Sequence, residues 1–140
     1  MTKTRYRALV VDDNEPTRIL IGRILEQELD LQVTIAGTCE VALRFAEERP
    51  FDVILLDLLM PGVGGFDVLK MIRSDSANID TPIVIVSVLD DQASIDRCME
   101  LKAQAFVVKP VNRSVLTEVV KAHLPATARH LVDEQRAQPR

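Results

Sequence analysis

The chain has 140 residues, enough for one domain with a sizeable core, and its 47% hydrophobic and 27% charged residues exclude wholesale disorder. The formal net charge of −4 gives no electrostatic reason to expect direct contact with nucleic acid, and no apolar run has the length that membrane insertion needs. The basic start MTKTRYR lacks the apolar segment of a secretory signal, and Cys39 and Cys98 have no metal-site spacing, so we expect a cytoplasmic protein.

Five short apolar runs, rich in β-branched residues, predict five strands. Several of the runs are continuous rather than alternating, which is typical of strands that are covered on both faces of a parallel sheet. In chain order the runs are Ala8–Val11, Val33–Ala36, Val53–Leu56, Ile83–Val86 and Phe106–Val108.

Apolar residues at helical spacing follow each run, which predicts five helices. Pro16 suits the first turn of the first helix, Thr38 and Asn112 can cap the second and fifth, and Asp90-Asp91 can cap the fourth. The residues that mark the helices are Ile19, Leu20, Ile24 and Leu25, expected on one face, then Val41, Ala42, Phe45 and Ala46, then Phe66, Leu69, Lys70 and Ile72, then Ala93, Ile95, Met99 and Leu101, and finally Val115, Leu116, Val119, Val120 and Leu124.

The alternation of strands and helices predicts βαβ units and an open, doubly wound α/β sheet. Pro125 ends the last helix. Residues 125–140 form a polar sequence that is too short for a second domain, so we expect one domain over residues 1–124, a polar tail and no output domain.

The carboxyl ends of the predicted strands are where this sequence places a group of charged and hydroxyl side chains. Asp12 and Asp13 follow the first strand, Asp57 the third, Ser87 the fourth and Lys109 the fifth. Ligands of open α/β sheets bind outside these strand ends, so we expect the five side chains to converge. Three carboxylates need a compensating cation, and Mg²⁺ prefers oxygen ligands of this kind with a phosphate to bridge. Because an aspartate can accept a phosphoryl group, the set predicts phosphoryl chemistry at or beside Asp57.

With these residues the chain resembles the receiver domain of the two-component response regulators, over about residues 6–124. The motifs are VVDDN, LLDLLMPGVGGFDVL, the strand-end Ser87 and the pair Lys109-Pro110. Each motif alone is weak, but all four in order are highly specific. The resemblance implies a flavodoxin-like, three-layer sandwich with a five-stranded parallel sheet in the order 2-1-3-4-5 and five helices.

The resemblance also implies a role for each acidic residue. Asp57 corresponds to the phosphoryl acceptor. Asp12 and Asp13 correspond to the Mg²⁺ pair, with Asp13 as the direct ligand and Asp12 acting partly through water. The backbone carbonyl of Leu59 and the carboxylate of Asp57 complete the expected metal ligands.

Three further residues correspond to the switch of the family. Ser87 is the hydroxyl that follows the phosphoryl group, Lys109 is the cation that contacts it, and Phe106 is the aromatic side chain that then turns inward. The Lys109-Pro110 bond is expected to be cis. The implied donor is a sensor histidine kinase or a phosphotransfer protein. The implied reader of the surface of helix 4, strand 5 and helix 5 is an effector protein or a second receiver.

Several positions depart from the common pattern of the family. Leu59 and Leu89 are apolar and cannot orient an attacking water, which predicts slow self-dephosphorylation. Val88 is larger than the usual residue and narrows access to the acceptor. Lys102 stands in a turn where glycine is common, so the path of that connection is open.

Each site residue also has an ordinary structural interpretation when it is taken alone. Asp12-Asp13 suits a turn and cap, Asp57 a capping carboxylate, Ser87 a loop hydroxyl, Lys109 a solvated charge and Phe106 plain core. We favour the functional interpretation because it alone accounts for their joint placement. His123 and His130 are expected to compensate a helix C-terminus or to be solvated, rather than to relay phosphate.

Two rival functions remain open at this stage. One is a degenerate receiver that serves as a docking module independent of phosphorylation. The other is a Mg²⁺-dependent aspartyl-phosphate phosphatase, although such enzymes usually place the nucleophile in a DxD after the first strand. If the chain is a receiver, as we favour, we expect that it is not an enzyme, because it catalyses only its own phosphorylation and dephosphorylation.

Overall fold

The computed structural model of the protein describes residues 5–62, 64–74 and 76–125, and within them five strands alternate with five helices. The strands are β1 (Arg7–Val11), β2 (Gln32–Ala36), β3 (Val53–Leu56), β4 (Ile83–Ser87) and β5 (Ala105–Val108). The helices are α1 (Glu15–Leu29), α2 (Cys39–Glu48), α3 (Gly65–Ser74), α4 (Gln92–Glu100) and α5 (Arg113–His123). The expected polar tail, except for Pro125, and His130 with it lie outside the described residues.

All five strands are parallel and lie in the order β2-β1-β3-β4-β5, which confirms the doubly wound fold. The register aligns the strand ends. Val11 pairs with Ala36 on one side and with Leu56 on the other, and Ser87 pairs with Val108. The residues that follow β1 and β3 therefore begin side by side at one edge of the sheet.

Alternate side chains of the strands enter two separate cores, one on each face of the sheet. One core joins β-strand residues such as Leu9 and Leu56 to α2 and α3, and the other joins Val10 and Leu55 to α1 and α5. Because both faces of the sheet are covered, β3 is apolar and buried at every position, and so is β4 up to Val86. In the described part of the chain, no helix has both the length and the apolar character needed to cross a bilayer.

Short polar side chains begin four of the helices. Asn14, Thr38, Asp91 and Asn112 each accept a hydrogen bond from a main-chain N–H of the first turn, which satisfies a donor that has no partner within the helix. The predicted caps Thr38, Asp91 and Asn112 are confirmed, and the Lys109-Pro110 peptide is cis as expected.

The buried face of α1 differs from the predicted one. Ile19 and Leu20 are 38% and 43% exposed, so the expectation that they share a face with Ile24 and Leu25 was wrong. The buried stripe instead contains Ile21, Ile24, Leu25 and Leu29. This stripe extends to the end of the helix, whereas one through Ile19 and Leu20 would not.

Helix α4 is attached to the rest of the domain through few buried groups. Of the residues that marked it, Ala93 and Met99 are exposed, and the buried residue of the helix is Cys98. On its α3 side, the Arg97 guanidinium stacks over the Phe66 ring with 4.3 Å between the guanidinium carbon and the ring centroid.

The turn between α4 and β5 adopts the conformation that glycine would favour, although it contains lysine. Lys102 has φ 69°, in the left-handed region. Its carbonyl oxygen accepts hydrogen bonds from Arg73 Nε at 3.1 Å and from Nη2 at 2.9 Å. The hydrogen bonds from Arg73, on α3, thus fix the path of the connection between α4 and β5, which the sequence did not determine.

A buried asparagine joins the loops at the opposite edge of the sheet from the strand-end carboxylates. The Asn78 side chain accepts from Phe51 N at 2.7 Å and donates to the carbonyl oxygens of Ala46 and Arg49 at 2.7 and 2.9 Å. Sequence patterning gave no reason to select this residue, because its partners lie about thirty positions away.

Candidate functional site

Main-chain hydrogen bonds between neighbouring strands fix the positions from which the site residues project. Asp57 N donates to Val11 O at 3.0 Å, Asp12 N donates to Ala36 O at 3.1 Å, and Lys109 N donates to Ser87 O at 2.8 Å. The ladder therefore continues one residue past the assigned strands. The first residue after β1, β3 and β5 is thus fixed by a main-chain hydrogen bond to the neighbouring strand.

Lys109 brings two of the carboxylates together. Its Nζ lies 2.7 Å from Asp12 Oδ2 and 3.1 Å from Asp57 Oδ2. Asp12 and Asp57 are 1% and 4% exposed, so these are charge-assisted contacts with little access to water. Their other oxygens bind main-chain amides, with Asn14 N donating to Asp12 Oδ1 at 2.9 Å and Leu59 N to Asp57 Oδ1 at 3.1 Å.

The electrostatic state of Asp57 reflects its burial. Desolvation raises the pKa of this carboxyl above its usual range, although the Leu59 amide and the nearby Lys109 act in the opposite direction. For Lys109, burial alone would lower the pKa, but the hydrogen bonds and charges of Asp12 and Asp57 outweigh it, so the pKa is raised. Lys109 therefore remains a cation at physiological pH.

The acidic cluster has the composition of a site for a hard divalent cation. Asp12, Asp13 and Asp57 each offer an oxygen, and these oxygens lie within 4.8 Å of one another. Three carboxylates against one ammonium leave two negative charges without compensation among these groups. Asp13 is exposed, so a hydrated ion can reach the cluster from solvent. The donor set and the charge thus fit Mg²⁺.

The remaining candidates lie around this cluster in different environments. Ser87 is fully buried, and its Oγ accepts a long hydrogen bond of 3.4 Å from Leu89 N. Phe106 is half-buried and packs against the core on the side of α2 and α3. The side chains of Leu59 and Val88 are exposed, and Leu89 is half-buried.

An apolar recess lies beside Lys109, the residue that contacts Asp12 and Asp57, and local sequence does not predict it. It has a volume of about 440 Å³ and lies beside Lys109, whose cis peptide to Pro110 forms part of the wall. Its lining residues are Thr17, Leu20, Val88, Lys109, Pro110 and Val111. Leu20, predicted to share one face of the first helix with Ile24 and Leu25, instead contributes to this surface.

The turn after β1 combines the two interpretations that the sequence left open. Asp12 does accept the Asn14 amide, as a turn-forming aspartate does, but Asn14 rather than Asp12 or Asp13 caps α1. The same Asp12 carboxylate binds Lys109 with its other oxygen. His123 lies in the last turn of α5, at a helix C-terminus, where its position suits charge compensation.

Comparisons with known proteins agree with this architecture. Residues 8–121 match the family model described as the response regulator receiver domain. The chain is 32% identical to the two-component response regulator ARR8 of Arabidopsis thaliana, over 90% of this chain and 64% of the relative. It is also 32% identical to the DNA-binding response regulator MtrA of Mycolicibacterium smegmatis, over 89% of this chain and 53% of the relative. The chain thus spans less than two thirds of the length of these relatives.

Solved structures give the same result. The Vibrio cholerae chemotaxis protein CheY4 superposes with a TM-score of 0.80 at 28% identity, covering 86% of this chain and 100% of that chain. A CheY-like receiver domain protein from Methanospirillum hungatei superposes with a TM-score of 0.78 at 25% identity, covering 95% and 98%.

Proposed function

The chain belongs to the response regulator receiver family, whose general function in two-component signalling is phosphorylation on an aspartate, and we propose that the acceptor in this chain is Asp57. The observation that supports this assignment is the environment of its carboxylate. Asp57 is buried at the end of the central strand, in contact with Lys109 and with two further carboxylates beside it. Asp13 is exposed, and Lys109 Nζ lies closer to Asp12, at 2.7 Å, than to Asp57, at 3.1 Å.

Phosphorylation in this arrangement is a transfer from a phosphohistidine of a sensor kinase or phosphotransfer protein. An Asp57 oxygen attacks phosphorus, the nitrogen–phosphorus bond breaks, and the released imidazole takes up a proton. Receiver domains bind Mg²⁺ at an acidic pocket; here we assign it to Asp12, Asp13, Asp57 and the carbonyl of Leu59, where it would neutralise charge on the phosphoryl oxygens. Lys109 can exchange its contact with Asp57 for one with a phosphoryl oxygen.

The change of charge at Asp57 provides a switch. Among the residues that the structure describes, the Ser87 hydroxyl takes part in one long hydrogen bond, from the Leu89 amide, so little opposes its movement towards a phosphoryl group. We assign Ser87 as the switch hydroxyl and Phe106 as the side chain that fills the space left behind. The surface formed by α4, β5 and α5 would then repack, and an effector protein or a second receiver would read it.

The apolar recess beside Lys109 suits the donor protein. Leu20 and Val88 expose apolar surface in this recess, Pro110 and Val111 continue it, and Lys109 joins it to Asp57. A donor that presents a phosphohistidine among apolar helix residues would cover these side chains and exclude water from the reaction. Leu20→Lys is therefore expected to slow transfer from the donor protein while leaving phosphorylation by a small phosphodonor unchanged.

The two leucines near the acceptor predict a long phosphoryl lifetime. Leu59 and Leu89 have no group that can orient a water for attack on the aspartyl phosphate. Leu89→Glu and Leu59→Asn introduce such a group and are expected to shorten the half-life, measured by loss of the adduct mass over time. An unchanged half-life in both variants would contradict this explanation.

A single experiment tests the assignment against the rival functions. The chain is incubated with acetyl phosphate and Mg²⁺, and its intact mass is measured beside that of Asp57→Asn. A stable gain of one phosphoryl group in the wild type alone supports the switch. Turnover of external phosphoesters would indicate a phosphatase, and absence of both would indicate a docking module that does not depend on phosphorylation.

We also propose the enzymatic status, the domain bounds and the cellular location of the protein. Receiver domains are in general signalling modules rather than enzymes, and we propose the same here, apart from the chain's own phosphorylation and dephosphorylation. Residues 1–124 would form the receiver and the following residues a polar tail. We propose a cytoplasmic location without direct nucleic-acid contact, consistent with the net charge of −4.

A further inference from the structure

We propose that Arg18 is a positioning residue that holds the Asp12-Asp13 turn in the arrangement that binds Mg²⁺. This inference rests on the proposed function of the acidic cluster. Arg18 lies in α1, and its Nη1 donates to the carbonyl oxygen of Asp12 at 2.8 Å. The contact is therefore made to the main chain of the acidic turn and leaves the carboxylates free for other partners.

The peptide group between Asp12 and Asp13 transmits this contact. A peptide unit is planar, so fixing the carbonyl oxygen of Asp12 also fixes the nitrogen of Asp13 and the direction in which Asp13 leaves the turn. Asp12 itself is anchored by its amide to Ala36 and by its carboxylate to Asn14 and Lys109. Asp13 is exposed, and the peptide held by Arg18 is its link to these anchors.

A glycine makes room for the arginine. A Cβ at Gly37, just after β2, would lie 2.8 Å from Arg18 Nη1 and 3.3 Å from Cζ. The guanidinium thus packs directly against the Gly37 backbone, between the end of β2 and the acidic turn. Any larger residue at position 37 would push the tip of the arginine away from the Asp12 carbonyl while leaving its charge in place.

The arginine is held in a position that is unfavourable for its own hydrogen bonding. Its Nε is buried and has no hydrogen-bond partner among the residues that the structure describes. A buried donor without a partner costs free energy, and such groups in folded proteins call for an explanation. A requirement for the Nη1 contact with the Asp12 carbonyl supplies one.

Arg18 could act on the metal site through its charge alone or by positioning the acidic turn, and the two roles predict opposite changes in Mg²⁺ affinity when Arg18 is replaced. Removal of a cation close to three carboxylates should strengthen the binding of Mg²⁺, because the remaining field is more negative. Release of the Asp12-Asp13 peptide should weaken it, because the carboxylates must then be ordered when the ion binds. The sign of the change in affinity therefore distinguishes the two.

The test is a calorimetric titration of the full chain with Mg²⁺, accompanied by urea unfolding of each variant. Arg18→Met and Gly37→Ala are each expected to weaken Mg²⁺ binding about tenfold, the lower end of the usual effect of groups that orient metal ligands. Arg18→Lys retains a donor for the carbonyl and should recover most of the affinity. Arg23→Met is the matched control, because Arg23 is an exposed arginine of the same helix and the same surface groove.

Unchanged or tighter binding in Arg18→Met would overturn the inference, and so would an equal loss in Arg23→Met. If Arg18→Met does not fold, Gly37→Ala alone tests the inference, since it keeps the arginine and its charge. Normal Mg²⁺ affinity in Gly37→Ala would also overturn the inference. Failure of the wild-type chain to bind Mg²⁺ would instead overturn the proposed function, and the inference with it.

Discussion

The glycine at the start of α3 provides the sharpest test of the packing around Asp57, the proposed phosphoryl acceptor. A Cβ at Gly65 would lie 2.4 Å from Leu58 Cα, 2.7 Å from Leu58 O and 2.9 Å from Asp57 O. All three atoms belong to the main chain, so no side chain can rotate away. Relief of the clash requires α3 to move by about 1 Å, since carbon atoms in contact lie about 3.5–4.0 Å apart. This movement of α3 would also disturb the hydrogen bond that Gly65 N donates to Leu58 O.

We therefore expect Gly65→Ala to lower the free energy of unfolding by about 3 kcal/mol, at the upper end of the usual cost of overpacking. For a chain of this size that corresponds to a fall in Tm of roughly 10 °C. Urea unfolding followed by far-UV circular dichroism measures the change directly. Because the clash involves the carbonyl of Asp57, the variant should also accept phosphoryl groups more slowly than the wild type.

Gly22→Ala is the matched control, because it makes the same change in another helix. A Cβ there would lie 3.5 Å from Val33 Cγ1, which is ordinary contact, so the higher helix propensity of alanine should stabilise the protein by about 0.5–1 kcal/mol. Opposite signs for the two substitutions would support the reasoning. A stability of Gly65→Ala within 0.5 kcal/mol or so of the wild type would refute it, since overpacking of this kind is rarely that mild.

Three further predictions concern single groups. Burial raises the pKa of Asp57, so its ionised form opposes folding at neutral pH. Asp57→Asn should therefore raise the free energy of unfolding of the metal-free protein, measured in EDTA. This gain in stability should vanish as the pH falls to the ordinary pKa range of aspartate. Lys102→Gly should raise the free energy of unfolding by about 1 kcal/mol, because glycine accepts the left-handed conformation without strain; a melting temperature equal to or below that of the wild type would contradict this. Burial raises the pKa of Cys98 to about 11, so iodoacetamide at pH 8 should modify it far more slowly in the native protein than in urea, and equal rates would show that the site opens readily.

The strands and strand ends could be predicted because burial on both faces leaves an uninterrupted apolar run in the sequence. The place where each run stops is also where the polar site begins, so Asp57 and Lys109 could be identified as neighbours without knowledge of the loops. The strand order came from the resemblance to the family, since local sequence does not determine which strands pair.

The buried face of α1 was not determined by local spacing. Ile19, Leu20 and Ile21 are consecutive, and each is apolar enough to belong to a helical stripe. The close approach of Gly22 to Val33 selects the face that includes Ile21, and this contact depends on how β2 packs. Arg18 against Gly37 and Asn78 against Ala46 are likewise contacts between distant positions, which a single sequence does not reveal.

The contact between Lys109 and Asp12 joins residues 97 positions apart, near the two ends of the fold. During synthesis the three carboxylates therefore leave the ribosome well before the lysine that contacts two of them. A nascent chain without β5 has Asp57, the proposed acceptor, but lacks the ammonium of Lys109 and the last strand. Contacts of such long range are among the last to form. If Asp57 and Lys109 act as proposed, phosphoryl transfer becomes available only after the chain has folded to its final strand, and incomplete chains would not compete for the phosphoryl donor.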